Sequence, residues 1–72
     1  MHDYDDMERL LRESLNQVAA DMSDRDRKDV VEYLDFGEYG IAYELLTFIL
    51  DRERIDRPDS LRKAGCKMAK DD

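Results

Sequence analysis

Seventy-two residues with a formal net charge of −7 limit what this chain can do before any motif is read. A domain of this length buries only about 60% of the surface of its unfolded chain, and its core supplies roughly 3–5 kcal/mol, which leaves little room for a deep catalytic pocket. The acidic balance argues against nucleic acid or an anionic membrane as partner and favours a basic protein, a class that includes most proteins that themselves bind nucleic acid.

Hydrophobic residues still make up 42% of the chain, so the composition is that of a folding protein, and residues 1–72 read as one domain with short frayed termini. Met7, Leu10, Leu11, Leu15, Val18, Ala19 and Met22 recur at helical spacing opposite Arg9, Arg12, Glu13 and Gln17, which predicts a first helix over 4–21. Ser23 followed by Asp26 resembles a capping box with the shorter acid, so a second helix begins at 24. Gly37 is placed to end it in the left-handed conformation. Glu38 then opens a third helix that runs to 53, its carboxylate meeting the positive end of the dipole. Pro58 suits a first helical position, and Leu61, Ala64, Gly65 and Met68 give the apolar stripe of a short fourth helix. No stretch alternates with period two for long enough to be a strand, and the short connections imply antiparallel neighbours. The expected fold is all-α, a small compact bundle of about four helices.

The two central helices carry unusual patterns at about 100° per residue. On the second, Val30, Val31 and Leu34 share one arc, while Asp29, Glu32, Tyr33 and Phe36 cluster opposite them with Asp35 at the edge. On the third, Ile41, Ala42, Leu45, Leu46, Phe48 and Ile49 cover more than a third of the circumference, so that helix is expected to be central and mostly buried. Tyr39 and Tyr43 border its polar stripe. Residues 29–51 hold Asp29, Glu32, Asp35, Glu38, Glu44 and Asp51 with no base between Lys28 and Arg52, a local charge of −6. Two readings of this corner stand side by side. Charge runs are usually solvated faces, with the aromatics packing under a neighbouring helix; alternatively, aromatic anchors ringed by one sign of charge suit steered protein binding.

Catalytic chemistry finds no footing. Asp35-Phe36-Gly37 matches the magnesium-holding tripeptide of kinases, but nothing else of a kinase is present. His2 is the only histidine, so neither a Ser/His/Asp nor a Cys/His arrangement can be built. The run His2-Asp3-Tyr4-Asp5-Asp6 is a weak cation candidate, better read as a solvated acidic helix start. Cys66, the single cysteine, lacks partners for zinc or a disulfide and reads as a small packing residue beside Ala64 and Met68. The chain is expected not to be an enzyme and to hold no cofactor or metal. With no apolar run longer than Phe48 to Leu50, no signal-peptide pattern and a lone thiol, the expected location is the cytoplasm.

The run Glu32-Tyr33-Leu34-Asp35-Phe36-Gly37-Glu38-Tyr39-Gly40-Ile41-Ala42-Tyr43-Glu44-Leu45-Leu46 resembles the MafI-type immunity proteins of bacterial polymorphic-toxin and contact-dependent growth inhibition systems. Their recurring core is Gly-Glu-Tyr or Gly-Glu-Trp, then x-(Leu/Ile)-Ala-x-Glu-x-Leu, after a helix that ends in an acidic residue. Gly37, Glu38, Tyr39, Ile41, Ala42, Glu44 and Leu46 match it, and residues 54–65 are similar to the segment that follows. Tyr43 departs from the pattern, standing where an aliphatic residue is usual. The resemblance covers about residues 30–65. It implies a helical antidote that binds the C-terminal domain of a cognate toxin in the cytoplasm, commonly a nuclease and often an RNase of the EndoU type. The expected toxin-binding face is Asp29, Glu32, Tyr33, Asp35, Phe36, Glu38, Tyr39 and Tyr43. Two other classes stay open: an acidic regulatory or nucleic-acid-mimic module for a basic partner, and a helical adaptor or antitoxin-like subunit that works as an oligomer.

Overall fold

The computed structural model describes residues 3–70 and the side chains of residues 5–68. Four helices follow one another: α1 (Asp3–Val18), α2 (Asp24–Asp35), α3 (Tyr39–Glu53) and α4 (Asp59–Lys70), with no strand among the described residues. The fold is the all-α bundle that the spacing predicts. Its Cα atoms span only 17 Å along the shortest axis, which accommodates two layers of helices about 8–10 Å apart.

Helix α1 buries Met7, Leu10, Leu11, Leu15 and Val18, the a/d-like positions of its stripe. The predicted helix over 4–21 changes character at its end. Ala19–Asp21 tighten into a 3₁₀ turn, and Met22 is extended and buried. Ser23 then caps α2 as the spacing predicts, its side chain accepting the Asp26 N–H at 3.1 Å. The reciprocal half of a capping box is missing because the Asp26 carboxylate is taken by Arg52 at 2.6 Å.

The turn from α2 to α3 is a Schellman motif. The Gly37 N–H donates to the Leu34 carbonyl at 3.0 Å and the Glu38 N–H to Tyr33 at 2.9 Å, with Gly37 at φ +76°. The same pattern ends α3, where Ile55 N–H donates to Leu50 at 2.8 Å and Arg54 N–H to Asp51 at 3.3 Å. Here Arg54, at φ +60°, occupies the left-handed position that glycine would normally fill. Pro58 stands just before the first helical residue of α4 and not within it. Its carbonyl accepts from Leu61 and Arg62, and Asp59 takes the first turn, where its charge suits the dipole.

Leu11, Val30, Leu34, Leu46, Ile49, Leu50 and Leu61 form the centre of the core, each no more than 1% exposed. Between α1 and α4, the hydroxyls of Ser14 and Ser60 lie 2.8 Å apart and are both buried. Ser14 donates to the Leu10 carbonyl at 2.7 Å, which leaves Ser60 to donate to Ser14. Two departures concern the outer surface. Ile41 and Phe48, read as core residues of a mostly buried third helix, are 43% and 60% exposed, because only the Ala42-Leu46-Ile49-Leu50 side of α3 is covered. Cys66, read as a packing residue, is exposed, since it lies on the side of α4 away from buried Leu61 and Ala64.

Candidate functional site

The uncovered side of α3 joins that of α2 to form an open groove. Asp29, Glu32 and Tyr33 of α2 and Ile41, Glu44, Leu45 and Phe48 of α3 line it. On α2 the outward stripe is Asp29, Glu32, Tyr33 and Phe36; on α3 it is Ile41, Glu44, Leu45 and Phe48. Both follow the spacing i, i+3, i+4, i+7, so each stripe forms a single helix face. Tyr33 and Leu45 are half-buried against the core and make the floor, while Ile41 and Phe48 stand higher and more exposed. Phe36 is 73% exposed and continues the α2 stripe toward the turn.

Charge along this groove has one sign. Asp29, Glu32 and Glu44 make no ion pair among the described residues. Beside the groove, the Arg52 guanidinium lies 5.9 Å from the centre of the Phe48 ring. Arg52 is already held by Asp26 at 2.6 Å and Glu53 at 2.9 Å, and the Glu53 and Asp26 hydrogen bonds raise its pKa. That cluster is net negative, so the groove stays acidic to its end.

The remaining residues of the expected face lie elsewhere. Asp35 turns toward α1, where its Oδ1 accepts from the Arg12 guanidinium at 3.0 Å. Arg12 also donates to Glu8 at 2.9 Å, and the Tyr39 hydroxyl donates to the other oxygen of Glu8 at 3.1 Å. The Arg12 hydrogen bond, followed by that from Tyr39, holds the Glu8 carboxyl below its ordinary range. Burial, then the hydrogen bond to Glu8, pushes the Tyr39 phenol up. Tyr39 therefore knits α3 to α1. Tyr43 faces α4: a Cβ placed on Gly65 would sit 2.5 Å from its hydroxyl oxygen. Both tyrosines stand about 160° around α3 from Ile41, on the flank opposite the groove. Glu38 is exposed at the corner and caps α3 through its carbonyl, which accepts the Ala42 N–H at 3.0 Å.

The fold thus brings together Asp29, Glu32, Tyr33 and the neighbouring Phe36, separates them from Tyr39 and Tyr43, and leaves Asp35 beside Asp29 and Glu32 in a second depression that Arg27 and Lys28 also line. It also neutralises part of the local charge of −6. Arg12 reaches Asp35 from 23 residues away, and Arg57 pairs with Asp51 at 3.0 Å. Ile41, Glu44, Leu45 and Phe48 were missing from the expected face. Their signal was the surplus width of the α3 apolar arc, more than one core-facing stripe requires.

Among the described residues, no group of three or more His, Cys, Asp or Glu side chains could hold a metal ion, and His2 lies outside them. No described helix is long and apolar enough to cross a membrane. Comparison with protein-family models, with curated proteins and with solved structures finds no match.

Proposed function

We propose that the chain is an immunity-type inhibitor whose α2/α3 groove seats on the basic domain of a cognate toxin, a nuclease, and blocks it in the cytoplasm. One observation carries this reading: exposed Phe48 and Ile41 stand over a half-buried floor, between carboxylates that make no ion pair among the described residues. A surface that grips phosphates is basic, so an acidic plug competes with RNA by presenting similar charge. Electrostatic steering raises association rates by about 10–10³-fold, which suits an antidote that must reach its toxin before the toxin reaches RNA. Phe48, Ile41 and Tyr33 are the anchors expected to govern dissociation. Tyr39 and Tyr43 leave this face, since their contacts lie on α1 and α4, while Asp35 stands at its edge, next to Asp29 and Glu32 and bonded to Arg12.

The test is surface plasmon resonance against the toxin domain encoded beside this chain, with survival of toxin-expressing cells measured in parallel. Reversing Glu32 and Glu44 together to lysine slows association by about tenfold at low salt and flattens its response to salt, while the helical spectrum is kept. Phe48→Ala acts instead on dissociation and costs about 2 kcal/mol of affinity. Unchanged binding and protection in both variants, with loss on substitution of exposed α1 or α4 residues, would reduce the groove to a solvated face. Binding to a basic transcription or translation factor, with no protection against the toxin, would favour the regulatory-module reading.

A further inference from the structure

Resting on the reading of the α2/α3 groove as a partner site, we infer that its occupant is an amphipathic α-helix with an apolar stripe flanked by lysine and arginine. The groove runs between two helices, and from Ile41 to Phe48 its α3 wall extends about 10 Å, the contact length of two helical turns. A third helix laid along it interdigitates with ridges of the same spacing, as helices do elsewhere in such bundles. An extended segment has no comparable seat. The walls are helices whose backbone groups are bonded within themselves, and no sheet edge exists among the described residues to receive a strand. Its own N–H and C=O groups would face Leu45 and Phe48 unpaired, a costly arrangement that a helix avoids.

Charge selects the flanks of the occupant. Asp29 and Glu32 on one wall and Glu44 on the other make no ion pair among the described residues, so bases on both sides of the apolar stripe find a carboxylate. A second copy of this chain does not supply such a helix. Its α4 carries Arg62, Lys63 and Lys67, but among the described apolar residues of that helix Leu61 and Ala64 are fully buried in its own core and Met68 packs against that core. The occupant belongs to a different protein.

Three synthetic peptides of about four helical turns test the inference. The first places leucines at i, i+3, i+4 and i+7 between lysines and arginines; the second has the same composition alternating with period two; the third keeps the first pattern with glutamates for the bases. Isotope-labelled protein is titrated with each by NMR, and peptide helicity is followed by circular dichroism. The first peptide is expected to gain helicity, to shift the amides of 29–33 and 41–48, and to bind at least about tenfold more tightly than the other two. Phe48→Ala weakens it by about tenfold or more, and reversal of Glu32 and Glu44 to lysine inverts the preference between basic and acidic peptides. Equal binding of the alternating peptide, or shifts confined to α1 and α4, overturns the inference. If the toxin domain binds at the groove while the helical peptide neither binds nor competes, the helix falls and the inhibitor reading stands. If the peptide binds and the toxin domain does not, the helix stands and the toxin reading falls.

Discussion

The two helix pairs of this bundle are finished in opposite ways. Where α1 meets α4, Leu11, Leu61 and Ala64 are fully buried, the two serine hydroxyls satisfy each other, and outside them Lys67 and Arg9 both approach Asp6, at 3.7 and 3.5 Å. Where α2 meets α3, apolar side chains are left outside and the carboxylates beside them, Asp29, Glu32 and Glu44, make no ion pair among the described residues. Exposed apolar surface and like charge both work against the folded monomer, and a small core has little stability in reserve. On the proposed reading, a helix pair that keeps exposed apolar side chains beside unpaired carboxylates is shaped for a partner. All four helices share the core; the two pairs differ in what they leave on the surface, mixed charge over α1 and α4 and apolar side chains between carboxylates over α2 and α3.

Truncation on each side is the strongest way to break this contrast. Leu61→Ala at the seam removes a fully buried side chain and is expected to cost about 2–5 kcal/mol, enough to unfold much of a domain this small. Phe48→Ala in the groove removes a larger side chain that is 60% exposed, and its stability is expected to stay within about 0.5 kcal/mol of the parent. Urea denaturation followed by circular dichroism measures both. If Phe48→Ala destabilised as much as Leu61→Ala, the groove would be part of the core and not a surface for a partner.

Much of the scaffold was legible because its signals are local. Ser23 and Gly37 announce helix ends through chemistry that acts within a few residues, and the apolar spacing of α1 needs no knowledge of its neighbours. The site was only half legible, for a physical reason. Helical spacing tells which residues share a face, but not which face another helix covers. Ile41 and Phe48 lie at the edge of a wide apolar arc, and only the placement of α1 and α4 decides that they stay outside. Tyr39 and Tyr43 border the same polar stripe, yet each finds a distant neighbour, Glu8 and Gly65. A charge count over a sequence window likewise cannot see Arg12 arriving at Asp35 from α1. The end of α3 at Glu53 agrees with the spacing, but its left-handed cap was not legible, because Arg54 carries none of the residue preference of that position.

The two left-handed corners sharpen the comparison at intermediate size. Gly37 shapes the corner beside the groove, and a Cβ there would meet nothing within 4 Å, so the cost of a side chain lies in the backbone alone. Gly37→Val is expected to lose about 1–3 kcal/mol, while Gly37→Asn loses less because asparagine tolerates this conformation. Arg54 presents the reverse case at the corner after α3, where φ is +60° and the side chain is exposed. Arg54→Gly is expected to gain about 1 kcal/mol, a rise of about 4–8 °C in melting temperature for a domain this size. A loss instead of a gain would mean that the Arg54 side chain contributes more than its backbone conformation costs.

The smallest expected effect lies in the ties between α1 and the two helices that form the groove. Glu8 has its pKa lowered from 4.5 by Arg12 first and Tyr39 second, so its contribution is complete above the ordinary carboxylate range and is lost as pH falls through the lowered value. Tyr39 has its pKa raised from 10.0 by burial first and Glu8 second, so its contribution is complete below the ordinary phenol value and is lost as pH rises through the raised one. The tie is therefore intact across neutral pH and loosens at both extremes. Glu8→Gln keeps the size of the side chain and removes its charge. It is expected to flatten the acid limb of the stability profile and to move the Tyr39 titration part of the way back toward its ordinary value, since burial remains. Ring resonances of Tyr39 followed by NMR through alkaline pH report the second effect directly. If that titration does not move, Glu8 is not what holds Tyr39, and something other than this hydrogen bond keeps the tyrosine away from the groove.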